Sequence, residues 1–108
     1  MATSGLPQRG VSVRIHSGFL QARDYLDMDS NGQRSYAMGI LDGMYLAPMF
    51  GAPDTGKPLV SLALCVEGMK ASQVAAIIEK FIKDHPERWH WDLKEEAYGA
   101  MREACPIK

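Results

Sequence analysis

Clustered basic charge is scarce in this chain. Its 12 lysines and arginines never run beyond a residue or two together, and the formal net charge is −1. Neutralising a phosphate backbone needs a concentrated basic face, so no nucleic-acid partner is expected. Long apolar runs are also missing. The longest, Leu59 to Val66, falls far short of the ~20 residues of a membrane span. The 2 cysteines and 3 histidines form neither a CxxC nor an HExxH spacing, so no redox pair, zinc site or other metal or cofactor site is expected. The opening MATSGLPQRG has no charged segment leading into an apolar one. If the protein is exported, the expectation is that this numbering follows a mature or trimmed form.

What is present suits one small globular domain: 108 residues, 46% of them hydrophobic and 23% charged, enough for a single core. The two cysteines stand just before one helical pattern and at the end of the next. In a reducing compartment they would be buried thiols; in an oxidising one Cys65 and Cys105 would pair. Closing a loop of that size would stabilise the fold by roughly 4 kcal/mol in the chain-entropy model.

Residues 1–16 read as a flexible arm, with Val11, Val13 and Ile15 alternating as in a short strand or an extended segment. Residues 17–108 read as a helical domain. Ser17 is a candidate cap for a first helix carrying Phe19, Ala22 and Leu26. Ser30 and Gln33 stand in capping-box spacing before a second helix ending near Leu46, with Tyr36, Ile40, Leu41 and Met44 as its apolar stripe. Beside that stripe Ser35, Gly39, Gly43 and Ala47 recur every four residues. Since each glycine costs a helix about 1 kcal/mol, close approach of another helix is the expected reason, with a ligand seated in that groove as the alternative.

Met49 to Pro58 reads as the longest irregular stretch, and Leu59 to Val66 as either a buried extended segment or a helical turn. Val74, Ile77, Ile78, Phe81 and Ile82 form the clearest amphipathic helix, ending near Asp84 because Pro86 disfavours helical geometry at His85. Asp92, with Glu95 three positions on, is expected to cap a last helix whose inner face is Leu93, Ala97, Ala100, Met101 and Ala104. The expected fold is therefore all-α: a compact bundle of about four helices with a C-terminal hairpin closed by a disulfide.

Several motifs fail on inspection. Gly51 to Lys57 matches the phosphate-binding GxxxxGK, but Pro58 replaces the hydroxyl residue and lacks an N–H, and the motif follows a helical pattern rather than a strand. Asp54-Thr55-Gly56 occurs once, where aspartic-protease chemistry needs two carboxylates sharing a proton. His85 and His90 flank a proline-broken corner and are assigned to helix ends rather than to a metal. Asp42 is read as structural. Trp89 and Trp91 either plug the end of the core or, if exposed, anchor a partner. No catalytic constellation emerges, and an enzyme is not expected.

Taken together, Cys65, Gln73, Val74, Ile77, Ile78, Phe81, His85, Pro86, Glu87, His90, Ala97, Met101, Ala104 and Cys105 resemble the pattern of the Rap/Tai-type immunity family. Tyr36, Gly39 and Asp42 extend the likeness more weakly upstream. Members of that family neutralise peptidoglycan amidases delivered by type VI secretion. The likeness departs at two points: many relatives carry a further cysteine pair between the first two helices, where this chain has Tyr25 and Tyr36 or their neighbours, and the last cysteine here precedes Pro106. The resemblance implies an all-helical periplasmic domain, often a homodimer, that occludes the cleft of a cognate cell-wall amidase. The expected contact loop is Met49 to Lys57, with Phe50 as apolar anchor and Asp54 and Lys57 as polar contacts. Trp89 and Trp91, and an acidic edge at Glu95 and Glu96, are alternative surfaces. The competing class is a small periplasmic stress protein with chaperone-like binding.

Overall fold

A computed structural model describes residues 19–50 and 56–106. Helices α1 (Ala22–Leu26), α2 (Ser30–Tyr45), α3 (Gly56–Val66), α4 (Ala71–Lys83) and α5 (Leu93–Ala104) are joined by short connections, with single 3-10 turns at Ala47–Phe50 and Pro86–Arg88. The fold is an all-α bundle. Among the described residues it has five helices rather than about four, because the stretch whose periodicity left it undecided is helical and extends back to Gly56.

The amphipathic pattern of α4 makes it the centre of the bundle, where it lies against α1, α2 and α5. Val74, Ala75, Ile78 and Ile82 point into a core shared with Tyr25, Ala37, Leu93, Ala97, Ala100 and Met101. Ile78 and Ile82 are fully enclosed, each contributing about 1.5–3 kcal/mol by leaving water. On the outer face Lys83 and Glu79 form the expected ion pair at 3.1 Å, and an exposed pair of that kind adds only a few tenths of a kcal/mol, ~0.3–0.5.

The corner after α4 satisfies that helix's terminal carbonyls with side chains. His85 Nδ1 lies 2.7 Å from the Phe81 carbonyl oxygen, which can only accept, so Nδ1 carries the proton. Trp89 Nε1 donates to the Ile82 carbonyl at 2.7 Å. The corner's own carbonyls in turn receive the amides that open α1: Ala22 donates to Trp91 at 2.9 Å and Arg23 to Trp89 at 3.0 Å. A helix of five residues is too short to hold itself together. Its first free N–H groups have been given partners by the corner.

Several local expectations need correcting. The first helix begins at Ala22, after Gln21, so Phe19 lies outside it and is exposed, while Ser17 lies outside the described residues. The cap of α2 is Asp29, whose carboxylate accepts from the Gly32 amide at 2.8 Å. Gln33 makes no capping box with Ser30, because its side-chain amide donates to the Tyr25 carbonyl at 3.0 Å. Asp92 occupies the cap position of α5 without a capping side-chain hydrogen bond; its carboxylate instead meets Lys94 Nζ at 3.2 Å. Ala104 is exposed rather than on the inner face. Among the described residues the two glycines on α2 approach no other element: a Cβ built on Gly39 or Gly43 would meet no atom of a neighbouring element within 4 Å. Asp42 stands on the same helix's wet side. The arm at residues 1–16, with its strand pattern, lies outside the described residues.

Cys65 and Cys105 are disulfide-bonded across a sequence separation of 40, with their Cα atoms 5.8 Å apart. The bond joins the last turn of α3 to the residue that ends α5, and it is compatible with an oxidising compartment. Tyr25 and Tyr36 meet edge-to-face, ring centroids 6.0 Å apart. An aromatic pair thus links α1 and α2. Such a contact adds about 0.5–1.5 kcal/mol beyond the area it buries.

Candidate partner-binding site

Helix α3 is built from GKPLVSLALCV, an almost wholly apolar sequence, yet it contains no buried residue. Leu62, Cys65 and Val66 rest against the core from outside. Val60 and Leu64 are 59% and 66% exposed. In the preceding 3-10 turn Met49 is 80% exposed, and Leu46 just before it is open as well. Val60 and Leu64, four residues apart, share the face of α3 turned away from Leu62, and Leu46 and Met49 are exposed on the turn after α2. Single exposed apolar residues are ordinary, but two on one face of an otherwise apolar helix make a candidate interaction surface.

On the other face of α3, that helix, the end of α2 and α5 leave a recess of about 230 Å³. Met44 and Ala47 form one wall, Pro58, Leu59 and Leu62 the second, and Met101 with Cys105 the floor. Arg102 stands at the edge, its Nη1 donating to Tyr98 Oη at 2.8 Å. Lys57 lies exposed in the first turn of α3, next to Pro58. Gly56 and Lys57 do open a helix, as in a phosphate loop, but the element before them is helical and Pro58 has no N–H to offer.

The residues singled out from sequence separate into two places. Met49 and Lys57 are two and one residues in sequence from Ala47 and Pro58, which line the recess, and are not lining residues themselves. The backbone of Phe50 closes the 3-10 turn, whereas Asp54 lies outside the described residues. The irregular stretch is shorter than Met49 to Pro58, since both its ends are helical. Trp89 and Trp91 belong to the opposite end of α5. Trp89 is half-buried against the core and committed to its Ile82 hydrogen bond, which leaves Trp91 as the exposed member of the pair.

Glu96 corrects the acidic edge. Its side chain is only 4% exposed, and Oε1 accepts from Arg88 Nε at 3.2 Å. The Arg88 guanidinium also sits 5.3 Å from the Phe81 ring centroid and 5.2 Å from that of Trp91. The Glu-Arg part of the corner is therefore an internal ion pair under an aromatic cover. Among the described residues no group of three or more His, Cys, Asp or Glu side chains is placed to hold a metal ion. Sequence reasoning missed the recess and Arg102 altogether. The one available signal was the high apolar content of Leu59 to Val66, which does not say whether a segment is buried by its own chain or left open.

The fold thus defines a class: a disulfide-stapled all-α domain with an external apolar helix. No family model, curated protein or solved structure matches the chain. No single described helix is long and apolar enough to cross a membrane; α3 and α4 reach that length only as a pair, bent by 112°.

Proposed function

We propose that this chain is a non-enzymatic binding domain of the periplasm, an immunity protein that occludes a peptidoglycan amidase delivered by type VI secretion. The observation that carries the binding role is α3, an apolar helix with no buried residue that flanks the exposed Met49. A helix so apolar gains free energy by being covered, and a partner supplies the cover. The disulfide suits an oxidising compartment, and the resemblance of the Cys65–Cys105 segment supplies the amidase as target. Inhibition would work by steric exclusion, with the Met49 turn and the start of α3 entering the catalytic groove.

The test mixes the oxidised protein with the amidase encoded beside its gene and follows both calorimetry and peptidoglycan cleavage. A one-to-one complex that stops cleavage is expected, with Met49→Asp weakening it more than tenfold. Absence of a complex, or full inhibition after deletion of residues 49–57, would overturn the proposal. The exposed apolar face also suits a chaperone-like holdase. Suppression of aggregation of several unrelated unfolded proteins, without a stoichiometric partner, would favour that reading instead.

A further inference from the structure

The recess between α2, α3 and α5 carries information about what its occupant looks like. Its volume of about 230 Å³ lies below the roughly 300–1,000 Å³ of sites that enclose a drug-sized ligand. It exceeds the ~150 Å³ cavity that accepts benzene, so it has room for one aliphatic or aromatic side chain. The walls contributed by Met44, Ala47, Leu62 and Met101 offer that side chain only apolar contact. Leu46 and Met49, which flank the lining residue Ala47 in sequence, and Tyr98 on its wall remain exposed, apolar surface that a single small molecule would leave uncovered.

One lining residue of the recess, Arg102, carries a positive charge. Arg102 is held in place by Tyr98, through the 2.8 Å hydrogen bond and by a guanidinium 5.6 Å from the ring centroid. Neither Arg102 nor Lys57 forms an ion pair among the described residues. A guanidinium already oriented by one neighbour loses little further freedom when a carboxylate arrives.

We infer that the recess receives an aliphatic anchor from an acidic segment of a partner protein, with the anchor seated between Met44, Leu62 and Met101 and a neighbouring Asp or Glu side chain paired with Arg102. This inference rests on the reading of the chain as a protein-binding domain, and it specifies the epitope. The anchor supplies affinity by filling a desolvated pocket, and the carboxylate supplies register and sign preference.

The test is a chemical-shift titration of the oxidised full chain with three probes: the acetylated, amidated tetrapeptide Ala-Leu-Glu-Glu, its counterpart Ala-Leu-Lys-Lys, and decanoate. The acidic peptide is expected to shift the amides of Ala47, Leu62 and Met101 with millimolar affinity and to bind at least tenfold more tightly than the lysine peptide. Arg102→Glu, an exposed position, is expected to reverse that preference, and Ala47→Trp to abolish binding by filling the recess. Equal binding of both peptides, shifts confined to other surfaces, or no shift at about 10 mM peptide would overturn the inference. Tighter binding of decanoate than of either peptide would also overturn it, assigning the recess to a small amphiphile. If an amidase binds yet Arg102→Glu and Ala47→Trp leave its affinity unchanged, the epitope falls and the proposed function stands. If the acidic peptide binds as described and no amidase does, the proposed function falls and the epitope stands.

Discussion

Replacing Arg88 by methionine removes the one hydrogen-bonded cation facing Glu96, whose side chain is 4% exposed, while keeping most of the apolar stem between Phe81 and Trp91. Breaking a buried ion pair from one side costs about 3–5 kcal/mol, because the remaining charge stays desolvated without a partner. Arg88 itself is 26% exposed, and water entering from that side screens part of the loss, which brings the expected cost to about 2–3 kcal/mol. Lost cation–π attraction to the two rings adds about 0.5–1 kcal/mol. For a domain of this size the sum lowers the melting temperature by roughly 10–20 °C. Urea unfolding followed by circular dichroism measures it, with Glu96→Leu and the double variant completing a cycle. The double variant should be more stable than Arg88→Met alone, since it leaves no orphan carboxylate. Single effects that add to within about 0.5 kcal/mol, with Arg88→Met near neutral, would refute the reasoning.

The glycines make a second prediction. Gly39→Ala and Gly43→Ala meet no neighbour within 4 Å and should each stabilise by up to about 1 kcal/mol. Gly99→Ala would bring its Cβ to 3.1 Å from Phe81 Cζ, a ring flanked by His85 and Arg88, so it should stabilise less or destabilise; equal gains at all three positions in thermal melts would contradict this packing. A third prediction concerns alkaline pH. Burial pushes Tyr36 up to about 12. Tyr25 is pushed higher still, by burial first and then by Glu79 and Tyr36. The native state therefore keeps protons that the unfolded chain releases near pH 10, so this stability is complete below about pH 10 and declines from there to about pH 12. Each tyrosine contributes up to about 1.4 kcal/mol per pH unit. Tyr25→Phe should reduce the difference in urea midpoint between about pH 9 and about pH 11; an unchanged difference would show that the buried phenol is not its source.

The C-terminal hairpin was legible because its signals are local. The spacing of Val74, Ile77, Ile78, Phe81 and Ile82, the stop at Pro86 and the paired cysteines each act within a few residues or through a covalent bond. Caps were less legible. Asp29 and Ser30 are both good capping residues, and only the position of the α1–α2 turn, with Gln33 drawn to the Tyr25 carbonyl, decides between them. The glycine row on α2 misled for a related reason: a stripe of small residues permits close approach without supplying a helix to approach. Glu96 looked like surface charge until packing placed it beside Arg88.

By itself, then, the sequence determined an all-α domain, its strongest helix, the corner at His85-Pro86 and the means to staple the chain. Those follow from residue periodicity, proline stereochemistry and thiol chemistry, which are properties of short stretches. Tertiary structure alone decided that α3 lies outside the core, that Trp89 faces inward while Trp91 does not, and that Arg102 borders an apolar recess. Each of these depends on how three or more helices divide a limited interior among more apolar residues than it can hold, a competition that no single stretch of chain records.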